Sequence, residues 1–460
     1  MLRPLLLLLL LPASLLAQDA PVALLDSFMK AEAAHKRFNG NVLVARGSKV
    51  LYEGSFGYRN FDTKEPLDAE SLFDLASVSK QFTAMGILML REEGRLQLTD
   101  SLYRYFPELP YRNVTLHQLL THTSGLPDYE SLMAQHWDPD KIAFNADMIR
   151  FLATEKPKPE FAPGAKWSYS NTGYALLASI IEKVSGQPLQ AFLKNRIFSP
   201  LGMKRSRVYN TRRSAPEAIP NYALGYVWSD SAGRWMIPDS LPRYRYVHTL
   251  DGIVGDGVVN ATTRDLLRWN RALQAATLLP AGRQLEMLRA HFPVDTTAGT
   301  AYGYGVFLGP APYGPQRYHS GGWPGYTTYL SHTADKDFSI IVLSNNGSNA
   351  PAVATALAHL LHGLPVEFPY VHTEIPMETA LLERYVGRYT GVGLLELYVQ
   401  DGKLYRKGRV PVQLKPESAT KFFYGDGSDR QLEFATDPDG RVHRAWFINN
   451  GIRTELKKLP

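Results

Sequence analysis

Apolar and polar residues change period several times along this chain, and each change predicts an element. Arg3 precedes the unbroken apolar run Leu5–Leu11, and "ASLLAQDA" follows with small residues. Charged, apolar and small-residue segments in that order predict a secretory leader over residues 1–17, with cleavage after Ala17. Val22–Arg37 reads as an amphipathic helix. "GNVLVARGSKVLYEGSFGYRN" alternates apolar and polar positions around Arg46–Lys49, a hairpin pattern. From Ser77 the apolar residues Val78, Phe82, Met85, Leu88 and Met89 fall at helical spacing until Gly94. A second helix is predicted over Tyr174–Val184, after the Pro/Gly loop "KPKPEFAPGAKWSYSNTGY". Thr262 or Thr263 is placed to cap a third.

Later in the chain, residues 205–250 carry no regular period. "RYHSGGWPGYTTYLSHTADKDFSIIVLSNN" predicts antiparallel strands with a turn near Asp335–Asp337, and Ala350–His362 predicts a last apolar helix. After about Glu383 the pattern becomes short alternating strands separated by Asp-Gly turns. We read residues 18–370 as one domain and 380–460 as a small all-β module of roughly 80 residues, a size that folds alone. The Pro-rich stretch Pro365–Pro376 between them reads as a hinge.

Composition narrows the class. The 460 residues are 45% hydrophobic and 20% charged, as in folded globular proteins. A formal charge of +6 suits an envelope rich in anionic polymers and is too diffuse to indicate nucleic acid. The basic run Lys194–Ser214 reads as solvated surface. After the leader, no stretch approaches the roughly 20 apolar residues of a spanning helix. The expected location is therefore periplasmic or secreted. The absence of cysteine excludes disulfides, thiolate catalysis and Cys-ligated zinc.

Ser-x-x-Lys occurs three times, at Ser27, Ser77 and Ser418, so context has to choose. Only Ser77 stands where a loop turns into a strongly apolar helix, with Lys80 on the same face. A helix N-terminus offers backbone N–H groups and partial positive charge to a developing oxyanion. A lysine beside it can serve the serine as base. Tyr-x-Asn also occurs three times, and only Tyr169–Asn171 lies in a Pro/Gly loop able to present a phenol. His319–Ser320–Gly321 occurs once and is followed by Gly322; the glycines would let a substrate backbone approach. Tyr302, Tyr304, Trp323 and Tyr326 fit either a cleft wall or buried packing. His117 and His122, five apart without a His-Glu-x-x-His pattern, give no case for a metal. No Gly-x-Ser-x-Gly elbow and no nucleotide-binding loop is present.

Taken in order, Ser77-x-x-Lys80, Tyr169-x-Asn171 and His319–Ser320–Gly321 resemble the penicillin-recognising serine hydrolase family. The similarity is to its branch of class C β-lactamases, D-alanyl-D-alanine carboxypeptidases, D-amino-acid peptidases and related esterases. "LLTHTSGL" at Leu119–Leu126 and "GDGVVNATTRDLLRW" at Gly255–Trp269 look like stretches of the same branch. The resemblance implies an α/β (α+β) fold with an antiparallel sheet flanked by helices, here followed by a barrel-like all-β module. It implies an acyl-enzyme on Ser77, proton transfer shared by Lys80 and Tyr169, and Asn171 holding Lys80 and the substrate amide. An oxyanion hole from the N–H groups of Ser77 and Gly322 is implied too. The expected partners are small peptide, amide or ester substrates, cell-wall peptides among them, with no cofactor and no nucleic acid. Where typical β-lactamases have lysine in the third motif, this chain has His319. Histidine there looks more like certain D-amino-acid peptidases and carboxypeptidases, with His319 near the substrate carboxylate. The alternatives are a true class C-like β-lactamase and a non-catalytic envelope binder on the same fold.

Overall fold

All seven residues of the strand Phe338–Ser344 are buried, as are the first six of Gly40–Arg46 beside it. Strands this apolar must be covered on both faces. They are inner members of an eight-stranded antiparallel sheet. Its order is Phe292–Asp295, Thr300–Tyr302, Phe307–Gly309, Gln316–Trp323, Tyr326–Thr333, Phe338–Ser344, Gly40–Arg46 and Lys49–Phe56. The predicted hairpins thus lie in one sheet, with the N-terminal pair docked on the C-terminal strands. The helix Thr263–Ala275 packs on Phe338–Ser344 and Gly40–Arg46, and Thr262 caps it by accepting the Asp265 N–H. Helix Lys80–Glu92 is buried from Lys80 to Leu90, so it is enclosed all round rather than amphipathic. It crosses helix Asn171–Ser185 closely at Gly86, where a Cβ would stand 2.8 Å from the Ile181 side chain.

The computed structural model describes residues 16–408 and 410–460; the apolar run of the expected leader, Leu5–Leu11, lies outside the described residues. None of the described helices is long and apolar enough to cross a membrane. The chain divides into two compact units, Arg37–Ala354 and a smaller one that joins Thr355–Pro460 to the N-terminal segment through Lys36. The smaller unit contains a closed barrel of eight antiparallel strands, from Gly387–Thr390 to Ile452–Lys458. Its alternating residues Leu397, Leu404, Leu414, Phe422 and Leu432 point inward to a continuous apolar core. Closure removes the exposed edges that an open sheet of this size would carry. The fold class expected from the sequence is the one observed.

Four details differ from the sequence reading. The helix behind Ser77 begins at Lys80, because Ala76–Ser79 is a tighter 3₁₀ turn. The second helix begins at Asn171 with Ser170 as its cap, since Asn, Thr and Gly in its first turn mask the helical period. Part of the basic run is not solvated: the Arg212 side chain, only 10% exposed, lies between Asp74 and Asp251, and Arg213 shares Asp251. Finally, the Pro-rich stretch is no free hinge within its unit but a strap along the barrel. The Ile375 N–H donates to the Pro416 carbonyl at 2.9 Å, and His372 lies between Glu417 (2.7 Å) and Asp429 (3.2 Å).

The two glycines of the third motif have separate uses. A Cβ on Gly321 would lie 2.2 Å from the Leu75 carbonyl oxygen, so this glycine admits the protein's own turn before Ser77 rather than a substrate. A Cβ on Gly322 meets nothing within 4 Å. Gly321→Ala is therefore expected to destabilise the protein by about 1–3 kcal/mol, as overpacking does. Gly322→Ala should stay within about 0.5 kcal/mol of the parent. Denaturant unfolding of both variants checks this; equal losses would contradict the packing argument.

Candidate active site

The short strand Phe73–Asp74 pairs with Val259–Ala261 and delivers the chain to the 3₁₀ turn Ala76–Ser79. Asp74 Oδ1 accepts the Ala76 N–H at 2.8 Å, while its other oxygen takes Arg212. That bond holds Ala76 in the left-handed region, at φ 46°. The following residue, Ser77, faces a cavity of about 90 Å³. Glu130, Asn171, Asp256, Gly322 and Trp323 line the same cavity. A larger one of about 340 Å³ adjoins it, with Arg212 and Trp323 in both linings.

Lys80 has no solvent exposure. Its Nζ donates to Ser77 Oγ (3.1 Å), Asn171 Oδ1 (2.7 Å) and the Asp256 carbonyl (2.8 Å). Three donors meet three acceptors from three distant parts of the chain. Asn171 passes the contact on, donating from Nδ2 to Glu130 Oε1 at 2.7 Å. Asp256 is buried, and its Oδ2 accepts from the Tyr129 hydroxyl at 2.8 Å. Burial, with Asp256 and Asp128 nearby, pushes the Glu130 carboxyl up to about 7, against the opposing pull of Lys80 and Asn171. Burial raises Asp256 too, opposed by the Lys80 charge.

The structure brings Ser77, Lys80, Tyr169 and Asn171 together, but Tyr169 enters by its ring. Lys80 Nζ stands 4.8 Å from the Tyr169 ring centroid. The phenol oxygen is buried and has no hydrogen-bond partner among the described residues. His319, Ser320 and Gly321 do not line the cavity, while Gly322 and Trp323 do. His319 is buried; its Nδ1 lies 2.6 Å from the Ser320 carbonyl and its Nε2 3.0 Å from the Tyr302 hydroxyl. Burial, then the Lys80 charge, lowers its pKa to about 3. It is thus a neutral ring behind the site rather than a cation beside a substrate carboxylate. Tyr302 and Tyr304 are buried packing, Trp323 lines both cavities, and Tyr326 lines only the larger one.

The rival motifs are committed to structure. Lys30 pairs with Asp26 beside Ser27, and Ser418 Oγ accepts the Lys421 N–H. Of the other Tyr-x-Asn matches, Tyr58–Asn60 and Tyr111–Asn113, Asn60 closes a turn over Asp62, and the Tyr111 hydroxyl donates to the Pro157 carbonyl. The sequence reading missed Glu130, Asp256, Tyr129, Asp74 and Arg212. Asp256 stands inside "GDGVVNATTRDLLRW", a stretch singled out for resemblance, while Glu130 lies just beyond the other, "LLTHTSGL". A carboxylate next to two glycines was the available signal.

Residues 23–364 match the family model described as Beta-lactamase. The chain is 41% identical over 401 residues to Penicillin-binding protein 4* of Bacillus subtilis (strain 168), covering 84% of this chain and 88% of that one. It is 26% identical over 423 residues to a D-aminopeptidase of Gluconobacter oxydans (strain 621H), covering 92% and 77%. Among solved structures, the octameric penicillin-binding protein homologue from Pyrococcus abyssi superposes with a TM-score of 0.67 at 26% identity, over 95% of this chain and 100% of that chain.

The raised Glu130 pKa has a defined sign in stability. The folded state binds this proton more tightly than the unfolded chain, whose carboxyl titrates near 4.5. The associated stability is complete below pH 4.5 and is lost as pH rises through about 7. Glu130→Gln lacks that loss. Its unfolding free energy relative to the parent should therefore rise between pH 4.5 and 7 and level off above. Denaturant titrations across that range check the sign; a constant difference would contradict the burial of an ionising carboxyl.

Proposed function

The chain belongs to the beta-lactamase family, and from that premise we propose that it is an exported serine hydrolase acting through an acyl-enzyme on Ser77. Amides and short peptides of D-amino acids are the favoured substrates, with small esters as a second group and cell-wall peptides as the natural setting. The observation that carries the reading is the buried Lys80, whose Nζ bonds Ser77 Oγ and Asn171 Oδ1 beside an open cavity. The Arg3 and Leu5–Leu11 pattern supports export.

In the reacting form Lys80 is the amine. Ser77 Oγ bonds to the substrate carbonyl carbon as its proton passes to Lys80 Nζ. The N–H groups of Ser77 and Gly322 hold the negative oxygen. The C–N bond then breaks, and the leaving amine takes the proton by way of the Tyr169 phenol. Asn171 keeps Lys80 and the substrate amide in register. Water repeats the sequence on the ester carbonyl, releasing the carboxylic acid and restoring Ser77.

Charge around the cavity favours the amine-bearing reading. Glu130 and Asp256 line it, and a substrate ammonium beside Glu130 would favour the ionised carboxylate. His319, buried and neutral, is no carboxylate contact, which weighs against a class C-like β-lactamase. The 340 Å³ space beyond Trp323 leaves room for a longer peptide. A non-catalytic envelope binder would have no use for an intact Ser77–Lys80–Tyr169 set. We take residues 18–370 as the hydrolase domain and 380–460 as a small all-β module.

Three outcomes test this. A fluorophosphonate should label Ser77, and Ser77→Ala should abolish labelling while Ser27→Ala and Ser418→Ala leave it intact; a label mapped to another serine overturns the assignment. Lys80→Ala and Tyr169→Phe should each slow turnover of D-alanyl p-nitroanilide by roughly 10²–10⁴-fold. The parent should prefer it to the L-isomer and to a chromogenic cephalosporin. Faster cephalosporin turnover would favour the β-lactamase reading instead.

A further inference from the structure

Tyr169 must place a phenol oxygen that has no hydrogen-bond partner among the described residues. A free side chain of that kind needs its backbone held from elsewhere, and one residue does so on both sides. The His122 carbonyl accepts the N–H of Ser168 at 2.9 Å, and the His122 ring Nδ1 accepts the N–H of Ser170 at 3.0 Å. The same ring lies against the Tyr169 ring, with centroids 4.3 Å apart at 35°. Backbone before and after Tyr169, and its aromatic face, are thus all fixed by His122.

Other features agree with a specialised role. His122 has φ 58°, a left-handed conformation uncommon for a residue with a Cβ and kept only where the surroundings impose it. Its neighbours lace the two loops together: Gly164 N–H donates to the Thr123 carbonyl (2.7 Å) and Glu160 N–H to the Gly125 carbonyl (2.9 Å). Tyr174 and Tyr302 pack near the ring, at 5.1 and 4.6 Å. An Nδ1 that accepts a backbone N–H carries its proton on Nε2, and that Nε2 is buried without a hydrogen-bond partner among the described residues. A ring meant only to fill space would be cheaper without that polar atom.

We propose that His122 is a positioning residue that sets the Tyr169 phenol for proton transfer, through its paired backbone bonds and its ring. The role rests on the proposed reading of Tyr169 as a proton carrier. His122 stays neutral beside Lys80, because burial, the Lys80 charge and His319 all lower its pKa. It therefore acts by geometry, not by titrating.

The test is a double-mutant cycle on D-alanyl p-nitroanilide, with melting curves to confirm folding. His122→Ala should lower kcat by roughly 10²-fold with KM nearly unchanged, as a misplaced catalytic group does. In a Tyr169→Phe background the same change should cost less than about twofold, because residues acting as a unit do not lose activity twice. His122→Asn keeps an acceptor for the Ser170 N–H and tolerates positive φ, so it should restore about tenfold of the loss. Equal losses in both backgrounds, with Asn no better than Ala, would overturn the positioning role alone. A Tyr169→Phe protein as fast as the parent would overturn both that role and the proposed function of Tyr169.

Discussion

Burying one ammonium group organises this molecule. Lys80 has no solvent exposure, and a lysine in that position is tolerable only when its donors are satisfied. Its three acceptors come from the 3₁₀ turn at Ser77, the helix start at Asn171 and the loop at Asp256. Each belongs to a different segment of the chain, so satisfying the lysine assembles the cavity. Helix Lys80–Glu92, enclosed on all sides, fixes where the ammonium stands. The glycine at 321 lets the sheet approach closely enough to seal the turn from behind.

The same charge sorts the titratable groups around it. On one side are His122 and His319, both buried and both held neutral by burial with the Lys80 charge second. On the other are Glu130 and Asp256, whose carboxyls burial raises and Lys80 pulls back down. The site therefore has a neutral aromatic wall behind the lysine and an acidic wall across the opening. A β-lactamase-like cleft with a lysine in the third motif would face its substrate with the opposite balance. This contrast supports the proposed preference for amine-bearing substrates over carboxylated ones.

Much of this was legible from residue order. Two short motifs, read with their loop or helix context, select Ser77, Lys80, Tyr169 and Asn171, and the structure brings those four together. The barrel follows from strict alternation and Asp-Gly turns after Glu383. What stayed hidden was whatever acts through backbone or burial. The Asp256 carbonyl that holds Lys80 belongs to a group every residue has, so no side-chain type announces it. His122 binds by its own carbonyl and by a ring nitrogen aimed at a backbone N–H, and in sequence it was weighed only with His117 as a metal pair. His319 was read as standing near the substrate carboxylate, yet its side chain is buried on its strand and held neutral behind the cavity. Arg212 was read as surface because its partners, Asp74 and Asp251, lie far away in the chain.

The central claim is that the Lys80-bound serine is the atom that takes the acyl group. Acid-quenched mass spectrometry of the protein, mixed for milliseconds with a D-phenylalanine ester, reads this directly. The account predicts a D-phenylalanyl adduct confined to the peptide that contains Ser77, rising and decaying with turnover. Substrate hydrolysis with the Ser77 peptide unmodified at every quench time would contradict it.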